Sequence, residues 1–196
     1  MLYQLKLRGY DDIWVISTEW ENRDNFQPLY PHRPEAYPFF PQQIAKNLGY
    51  KYDHISSSIR LEGDLILIGG AGILPQRDLK IINAHPGYLP YTRGLDALKW
   101  AIYEGMPIGV TTYFIGDLCD TGVLIRQEYT TRECLDTFTA FAMRHYETEI
   151  RLLADSIEDS KTPENQIVGG DRSDIHRRMP HYLEVVMLKK FEGMAS

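Results

Sequence analysis

The stretch LKIINAHPGYLPYTRG, Leu79–Gly94, decides the fold because it joins a short apolar run to a polar loop. The apolar residues predict a buried strand that ends at the motif NAH. Apolar residues at helical spacing in Leu95–Gly105 predict a helix directly after the loop, and a glycine closes that pattern. A strand followed by a loop and a helix is the recurring unit of an α/β protein.

The same alternation continues on both sides of this stretch. Further strands are predicted at Asp12–Thr18, Asp64–Ile68, 108–115 and 123–130, and further helices at 1–10, 41–50, Thr131–Asp159 and 182–191. The sequence therefore predicts an α/β fold with a mostly parallel twisted sheet flanked by helices. Residues 1–159 are predicted to form the main domain, and residues 160–196 a C-terminal extension packed on it.

Composition excludes several classes of protein. The 196 residues are 43% hydrophobic and 24% charged, which is typical of a globular chain, and the formal net charge is −6. An acidic chain is a poor candidate for binding nucleic acid, and no apolar run reaches the length of a membrane span. Cys119 and Cys134 form no CxxC motif, and there is no zinc-ligand set. We therefore expect a cytoplasmic protein that binds neither nucleic acid, nor membrane, nor metal.

Two polar clusters, NAHPG and GDLCDTG, lie at or beside strand ends, where ligands bind in α/β sheets. His85 near a carboxylate such as Asp120 suits acid–base work at neutral pH. Asn83, two residues earlier in extended backbone, points to the same side as His85 and could donate to an oxyanion. Pro86 and Pro90 restrict the loop backbone. The set of Asn83, His85 and Asp120 includes no Ser or Cys nucleophile, which favours direct attack of a bound substrate on a carbonyl carbon.

On these residues alone, two interpretations of His85 stay open. It is either a catalytic group or an ordinary hydrogen-bonded loop residue, and Asp-Thr-Gly is a common turn. The loop interpretation is the more frequent one for a single histidine at a strand end.

The whole segment from Asn83 to Gln127 resembles the folate-dependent formyltransferase family, which includes glycinamide ribonucleotide, methionyl-tRNA and sugar N-formyltransferases. The shared elements, in the same order and at the same spacing, are Asn83, His85 and Pro86, Leu89 and Pro90, Arg93 and Gly94, Trp100, Gly109 to Thr111, Asp120 to Gly122, and Gln127. The resemblance implies a Rossmann-like formyltransferase fold, with residues 1–159 as its catalytic domain.

The resemblance also implies the reaction. The family transfers a formyl group from N10-formyltetrahydrofolate to an amine through a tetrahedral intermediate. By analogy, His85 would stabilise or protonate that intermediate and Asn83 would hydrogen-bond its oxyanion. Asp120 would raise the pKa of His85 and relay the proton of the amine.

Binding residues carried over from the family fall into two groups. Ile73, Leu74, Gly116, Asp117 and Leu118 would hold the folate, and Arg93 and Gly94 the substrate. In the tail, IHRRMP resembles a segment of sugar N-formyltransferases. Its Arg177 and Arg178 would either contact a diphosphate or remain solvated surface charges.

The chain departs from the family pattern in two places. Gly87 follows His-Pro where the family usually has Ser, which loosens the turn. We expect the usual first strand and its phosphate-binding loop to be missing from the start of the chain, which would disfavour a purine-pathway substrate. The sequence leaves open whether the protein is a short family member or the sequence starts late.

We therefore predict an N-formyltransferase for a primary amine, above all a nucleotide-linked amino sugar. The alternatives are a formyltetrahydrofolate hydrolase and a non-catalytic folate- or sugar-binding relative. The sequence leaves open whether the protein is a homodimer.

Overall fold

A computed structural model describes residues 1–18, 27–33, 40–55, 63–70, 79–163, 166–168 and 174–194. The helices are α1 (Leu2–Leu7), α2 (Pro41–Leu48), α3 (Ala97–Glu104), α4 (Phe138–Asp159) and α5 (His181–Glu192). The strands are β1 (Trp14–Thr18), β2 (Lys51–Ile55), β3 (Ile66–Ile68), β4 (Ile81–His85), β5 (Arg93–Gly94), β6 (Gly109–Ile115), β7 (Gly122–Tyr129), β8 (Ile167–Val168) and β9 (Ile175–His176). Strands and helices alternate through most of these ranges, so the α/β prediction is confirmed.

The central sheet has five strands in the order β3-β4-β6-β7-β8. Only β3 and β4 run parallel in it, whereas β4–β6, β6–β7 and β7–β8 are antiparallel. The prediction of a mostly parallel sheet is therefore wrong for this sheet, which is mixed. Part of the reason is the short connection Gly116–Thr121 between β6 and β7, because a parallel pair needs a crossover of about a dozen residues or more. Two further parallel pairs, β1–β2 and β5–β9, form separate small sheets.

Helix α4 begins later than the sequence predicts, at Phe138 instead of Thr131. Thr137 caps it, since its hydroxyl oxygen accepts a hydrogen bond from the Ala140 amide at 3.2 Å. Before the cap, Asp136 accepts from the Glu133 amide and from the Arg144 guanidinium, which stabilises a non-helical approach. Strand β2 was not predicted because its sequence, KYDHI, has no apolar run.

The C-terminal region is packed on the same body as the rest of the chain. Helices α3, α4 and α5 share one apolar cluster, whose buried members are Leu98, Ile102, Phe138, Phe141, Ala142, Met179, Met187 and Phe191. Strand β8 pairs with β7 and strand β9 with β5. The domain boundary at residues 159 and 160 stays a prediction. In the part of the chain described, no helix is both long and apolar enough to cross a membrane.

A fully buried ion pair joins the helices that support this cluster. The Lys99 ammonium on α3 donates to Glu184 Oε1 on α5, and neither side chain is exposed to solvent. Glu184 Oε2 also accepts a hydrogen bond from the Leu29 amide at 2.8 Å. Because a buried charge is tolerated only when it is paired, each partner depends on the other.

Removal of one partner is expected to destabilise the fold strongly. Lys99→Met should lower the free energy of unfolding by about 3–5 kcal/mol, because it leaves the Glu184 carboxylate buried without its cation. The double variant Lys99→Met/Glu184→Leu should recover part of that loss. Urea denaturation followed by circular dichroism measures both, with Lys161→Met in the exposed pair with Glu158 as the control. A Lys99 variant no less stable than the Lys161 variant would contradict this account.

Candidate active site

Strands β4 and β6 deliver the polar side chains of the candidate site. In their antiparallel register, Asn83 lies opposite Tyr113 and His85 lies opposite Thr111. Asp120 comes from the loop between β6 and β7, where it adopts a left-handed backbone conformation with φ of 50°. Side chains two residues apart on one strand share a face, so β4 sends Asn83 and His85 to the side where Asp120 lies.

A chain of hydrogen bonds joins these residues through Tyr113. The Asn83 amide nitrogen donates to Tyr113 Oη at 3.1 Å, and that hydroxyl donates to Asp120 Oδ1 at 3.2 Å. The other carboxylate oxygen, Oδ2, accepts from the Gly94 amide at 2.7 Å. Burial and the nearby Asp120 carboxylate raise the pKa of Tyr113, so its hydroxyl keeps the proton that it donates. The carboxylate of Asp120 is thus held on both oxygens.

His85 faces the Asp120 carboxylate with its ring nitrogen Nδ1. Nε2 donates to the Thr92 carbonyl at 3.0 Å, and Nδ1 lies 3.6 Å from Asp120 Oδ1. In the neutral ring the proton therefore sits on Nε2, and the Nδ1 lone pair points toward the carboxylate. A proton placed between Nδ1 and Asp120 would satisfy both groups.

The pKa of His85 is lowered below its ordinary value. Burial is the largest cause, because the ring is only 4% exposed, whereas Asp120 acts in the opposite direction. Asp120 therefore acts on the pKa of His85 in the expected, upward direction, but burial lowers this pKa by more than Asp120 raises it. At neutral pH His85 is an uncharged base.

The loop that carries Asp120 is rigid. The Gly116 amide donates to the Thr121 carbonyl at 2.7 Å, and the Thr121 hydroxyl donates to the Leu118 carbonyl at 2.9 Å. Gly122 closes the loop at a point where a β-carbon would lie 1.7 Å from the Phe114 carbonyl oxygen, so glycine is required there. The backbone that orients Asp120 is therefore fixed from both sides.

Three of the five residues predicted to hold folate lie in this loop. Gly116 is partly exposed, and Asp117 and Leu118 are exposed. Ile73 and Leu74 lie outside the described residues, so their role stays a prediction. Within the described ranges, no group of three or more His, Cys, Asp and Glu side chains is placed to hold a metal ion.

The residues predicted to bind substrate occupy one neighbourhood but differ in exposure. Arg93 is buried, and its guanidinium donates to the Cys119 carbonyl at 2.6 Å. The Gly94 amide donates to Asp120 Oδ2. Arg93 and Gly94 therefore both support the loop that carries Asp120. Arg177 is exposed, and Arg178 lies 3.5 Å from Asp96 at the start of α3. Both tail arginines follow β9, whose residues Ile175 and His176 pair with Arg93 and Gly94 of β5.

Two site residues were missed at the level of sequence. Tyr113 could have been found from its alternation with Thr111 on β6. His145 on α4 follows Phe141 by one helical turn, which is the spacing of a buried face. Its Nε2 donates to the Pro86 carbonyl at 3.2 Å, and its Nδ1 accepts from the Thr130 hydroxyl at 2.9 Å. His145 thereby fixes the backbone next to His85.

Comparison with known proteins agrees with this geometry. Residues 64–157 match the family model described as formyl transferase, and this part of the chain is therefore a formyl transferase domain. The chain is 31% identical over 126 residues to phosphoribosylglycinamide formyltransferase from Bacillus subtilis, a match of 62% of this chain and 63% of that protein. It is 39% identical over 56 residues to dTDP-4-amino-4,6-dideoxyglucose formyltransferase from Mycobacterium tuberculosis, covering 29% of this chain and 22% of that protein. The matched part spans less than two thirds of either relative.

A solved structure shows the same fold. The crystal structure of the formyltransferase PseJ from Anoxybacillus kamchatkensis, in complex with UDP-4,6-dideoxy-4-formamido-L-AltNAc and tetrahydrofolate, aligns with a TM-score of 0.55 at 18% identity. The alignment covers 83% of this chain and 85% of that chain. The prediction of a formyltransferase fold is confirmed.

Buried neutral histidines make the stability of this site depend on pH. Burial lowers the pKa of His145, and that of His32 near Asp96, from 6.5 to about 4. In the unfolded chain each ring binds a proton near pH 6.5, so their contribution to stability is complete above that pH and is lost as the pH falls toward 4. From pH 7.5 to 5, the free energy of unfolding should fall by about 2 kcal/mol for each ring.

His145→Gln should remove about 2 kcal/mol of this pH-dependent loss, because no ring then has to be protonated on unfolding. Urea denaturation at the two pH values measures the difference. His54→Gln at an exposed position of β2 is the matched control and should leave the loss unchanged. An identical loss in the His145 variant and the native chain would show that His145 is not the group responsible.

Proposed function

We propose that the protein transfers a formyl group from N10-formyltetrahydrofolate to a primary amine, and that the amine belongs to a nucleotide-linked amino sugar. The observation that carries this proposal is the facing pair of His85 Nδ1 and Asp120 Oδ1, 3.6 Å apart, beside the Asn83 amide. Within a formyl transferase domain, this set has the groups that amide formation needs: a hydrogen-bond donor for an oxyanion and a pair that accepts a proton.

The folate would supply the formyl carbon, and the loop with Gly116, Asp117 and Leu118 fits a flat ligand beside Asp120. The loop backbone is packed closely, since a β-carbon on Gly116 would lie 3.0 Å from the Thr121 carbonyl oxygen. Leu118, with 66% of its surface exposed, offers an apolar side chain at the same edge. Ile73 and Leu74, which lie outside the described residues, are proposed to bind the folate as well.

The roles of the three polar residues follow from their protonation. The acceptor amine attacks the formyl carbon, a C–N bond forms, and the carbonyl oxygen takes the negative charge. An amide nitrogen has two N–H groups, and Asn83 commits one to Tyr113 and directs the other to the oxyanion. The proton lost by the amine passes to the pair formed by Asp120 and His85 Nδ1. His85 then returns it to the departing folate nitrogen as the old C–N bond breaks.

The choice of acceptor is supported by the tail and by two relatives. Arg177 and Arg178 follow β9, and paired guanidinium groups suit a diphosphate. The similar protein from Mycobacterium tuberculosis is named for a dTDP-linked amino sugar, and the formyltransferase from Anoxybacillus kamchatkensis is in complex with a UDP-linked formamido sugar. The Bacillus subtilis relative is named for phosphoribosylglycinamide, which is the competing acceptor. A cytoplasmic location is part of the proposal, since Cys119 and Cys134 are both free thiols.

A panel of acceptors tests the function. The chain is incubated with N10-formyltetrahydrofolate and, separately, with UDP- and dTDP-linked 4-amino sugars, phosphoribosylglycinamide or no acceptor, and the products are identified by mass spectrometry. Formylation of an amino sugar is expected. Formylation of phosphoribosylglycinamide would replace the acceptor, release of formate without acceptor would indicate a hydrolase, and binding without turnover would indicate a non-catalytic relative.

His85→Asn should abolish most of the transfer while keeping the fold. Loss of the acid–base group is expected to lower kcat by about 10²–10⁴-fold, because asparagine cannot take up a proton. Steady-state kinetics measures the effect, and His54→Asn on β2 serves as the control. Near-normal turnover by the His85 variant would refute the mechanism.

Tyr113→Phe should lower kcat/KM by about fivefold to tenfold, since it removes the hydroxyl that links Asn83 to Asp120 and a hydrogen bond is worth about 1 kcal/mol. The Michaelis constants should change less than kcat, because Tyr113 orients the reacting groups and does not itself bind the acceptor. Tyr182→Phe, at an exposed position of α5, is the matched control. Unchanged kinetics in the Tyr113 variant would mean that the link is dispensable.

A further inference from the structure

Gly87 lies where any side chain would collide with the ring of His85. A β-carbon at this position would lie 2.6 Å from His85 Nε2, 2.8 Å from its Cδ2 and 2.7 Å from the Thr92 carbonyl oxygen. Contacts this short are not tolerated, so something would have to move. Gly87 is not in the left-handed region of φ, so glycine is needed here for space and not for backbone conformation.

The backbone around Gly87 is held in place and cannot readily yield. Its carbonyl accepts a hydrogen bond from the buried Thr111 hydroxyl at 2.9 Å, and the same hydroxyl accepts from the Leu89 amide at 3.0 Å. On the other side, His145 donates to the Pro86 carbonyl at 3.2 Å. The ring of His85 is therefore the group that would have to move. Its hydrogen bond to the Thr92 carbonyl is the contact that would be lost.

We propose that Gly87 is a positioning residue that sets which ring nitrogen of His85 carries the proton. The room left by the absent side chain lets Nε2 donate to the Thr92 carbonyl, and this turns the unprotonated Nδ1 toward Asp120. Gly87 thereby makes Nδ1 the atom that accepts the proton of the substrate. The kinetic part of this inference rests on the proposed function, whereas the ring position and its tautomer do not.

A side chain at position 87 would push the ring away from Thr92 and out of its buried site. The charged and titratable groups around the ring are Asp120, Arg93 of β5, Arg33 of the 27–33 segment and His145 of α4. These groups would remain in place. Because burial is the largest cause that lowers the pKa of His85, relief of burial should raise it. Greater distance from Asp120 and loss of the Thr92 bond act the other way, and each is a smaller cause than burial.

Nitrogen-15 NMR of the imidazole rings tests the inference without any substrate. The signals of His85 are assigned by comparison with His85→Asn. In the native chain at pH 7.5 we expect the neutral tautomer with the proton on Nε2, and titration below the ordinary range. In Gly87→Ala and Gly87→Ser the Nε2–H tautomer should lose its dominance, and the titration midpoint should rise. Gly193→Ala, where a β-carbon meets nothing closer than 3.6 Å, is the control.

The kinetic consequence is measured separately. The acid limb of the pH profile of kcat/KM, which reports groups of the free enzyme, should move upward in the Gly87 variants together with the NMR midpoint. An unchanged tautomer and midpoint in a folded Gly87 variant would overturn the inference. If neither variant folds, the native spectrum still decides, because a proton on Nδ1 of His85 at pH 7.5 contradicts the inference directly. If the NMR changes occur as expected while the native chain formylates no acceptor, that combination would refute the proposed function and leave the role of Gly87 intact.

Discussion

The antiparallel register of β4 and β6 is the constraint on which the site depends. It sets Asn83 opposite Tyr113 and His85 opposite Thr111, and a shift of β4 by one residue would turn Asn83 and His85 to the other face, away from Tyr113 and Thr111. Each pair then has a different task. The first pair connects the Asn83 amide to Asp120, and the second places the Thr111 hydroxyl where it holds the backbone beyond His85. One set of backbone hydrogen bonds thus aligns both the reacting groups and the loop that supports them.

Burial keeps the imidazoles of this site neutral. The Asp120 carboxylate favours a charged His85, but the ring is so far removed from water that burial dominates its pKa. His145 is also neutral, and its two hydrogen bonds fit one tautomer: Nε2 donates to a carbonyl and Nδ1 accepts from a hydroxyl. The site therefore begins with bases that are ready to take a proton, at a cost in stability when the pH falls.

The C-terminal region supports the same site from outside the family match. Strand β9 pairs with β5, and the amide of Gly94 on β5 holds the carboxylate of Asp120. Helix α5 packs on α3 and carries Glu184, the partner of the buried Lys99. Residues far along the chain from Asp120 thus help to fix its orientation. Pairing between β9 and β5 explains why a short tail strand belongs to the description of the active site.

The sequence by itself determined the α/β class, most of the longer helices and strands, and the three polar residues that converge, because apolar periodicity and an ordered motif are local signals. It did not determine the mixed sheet, since strand direction depends on how connections cross the sheet. Tyr113 and His145 were not predicted as site residues because they act through hydrogen bonds to Asn83 and Pro86, which are distant in sequence. The meaning of Gly87 likewise came only from tertiary structure. In sequence Gly87 is only a departure from the usual Ser that loosens a turn, whereas in three dimensions a β-carbon at this position would collide with the ring of His85.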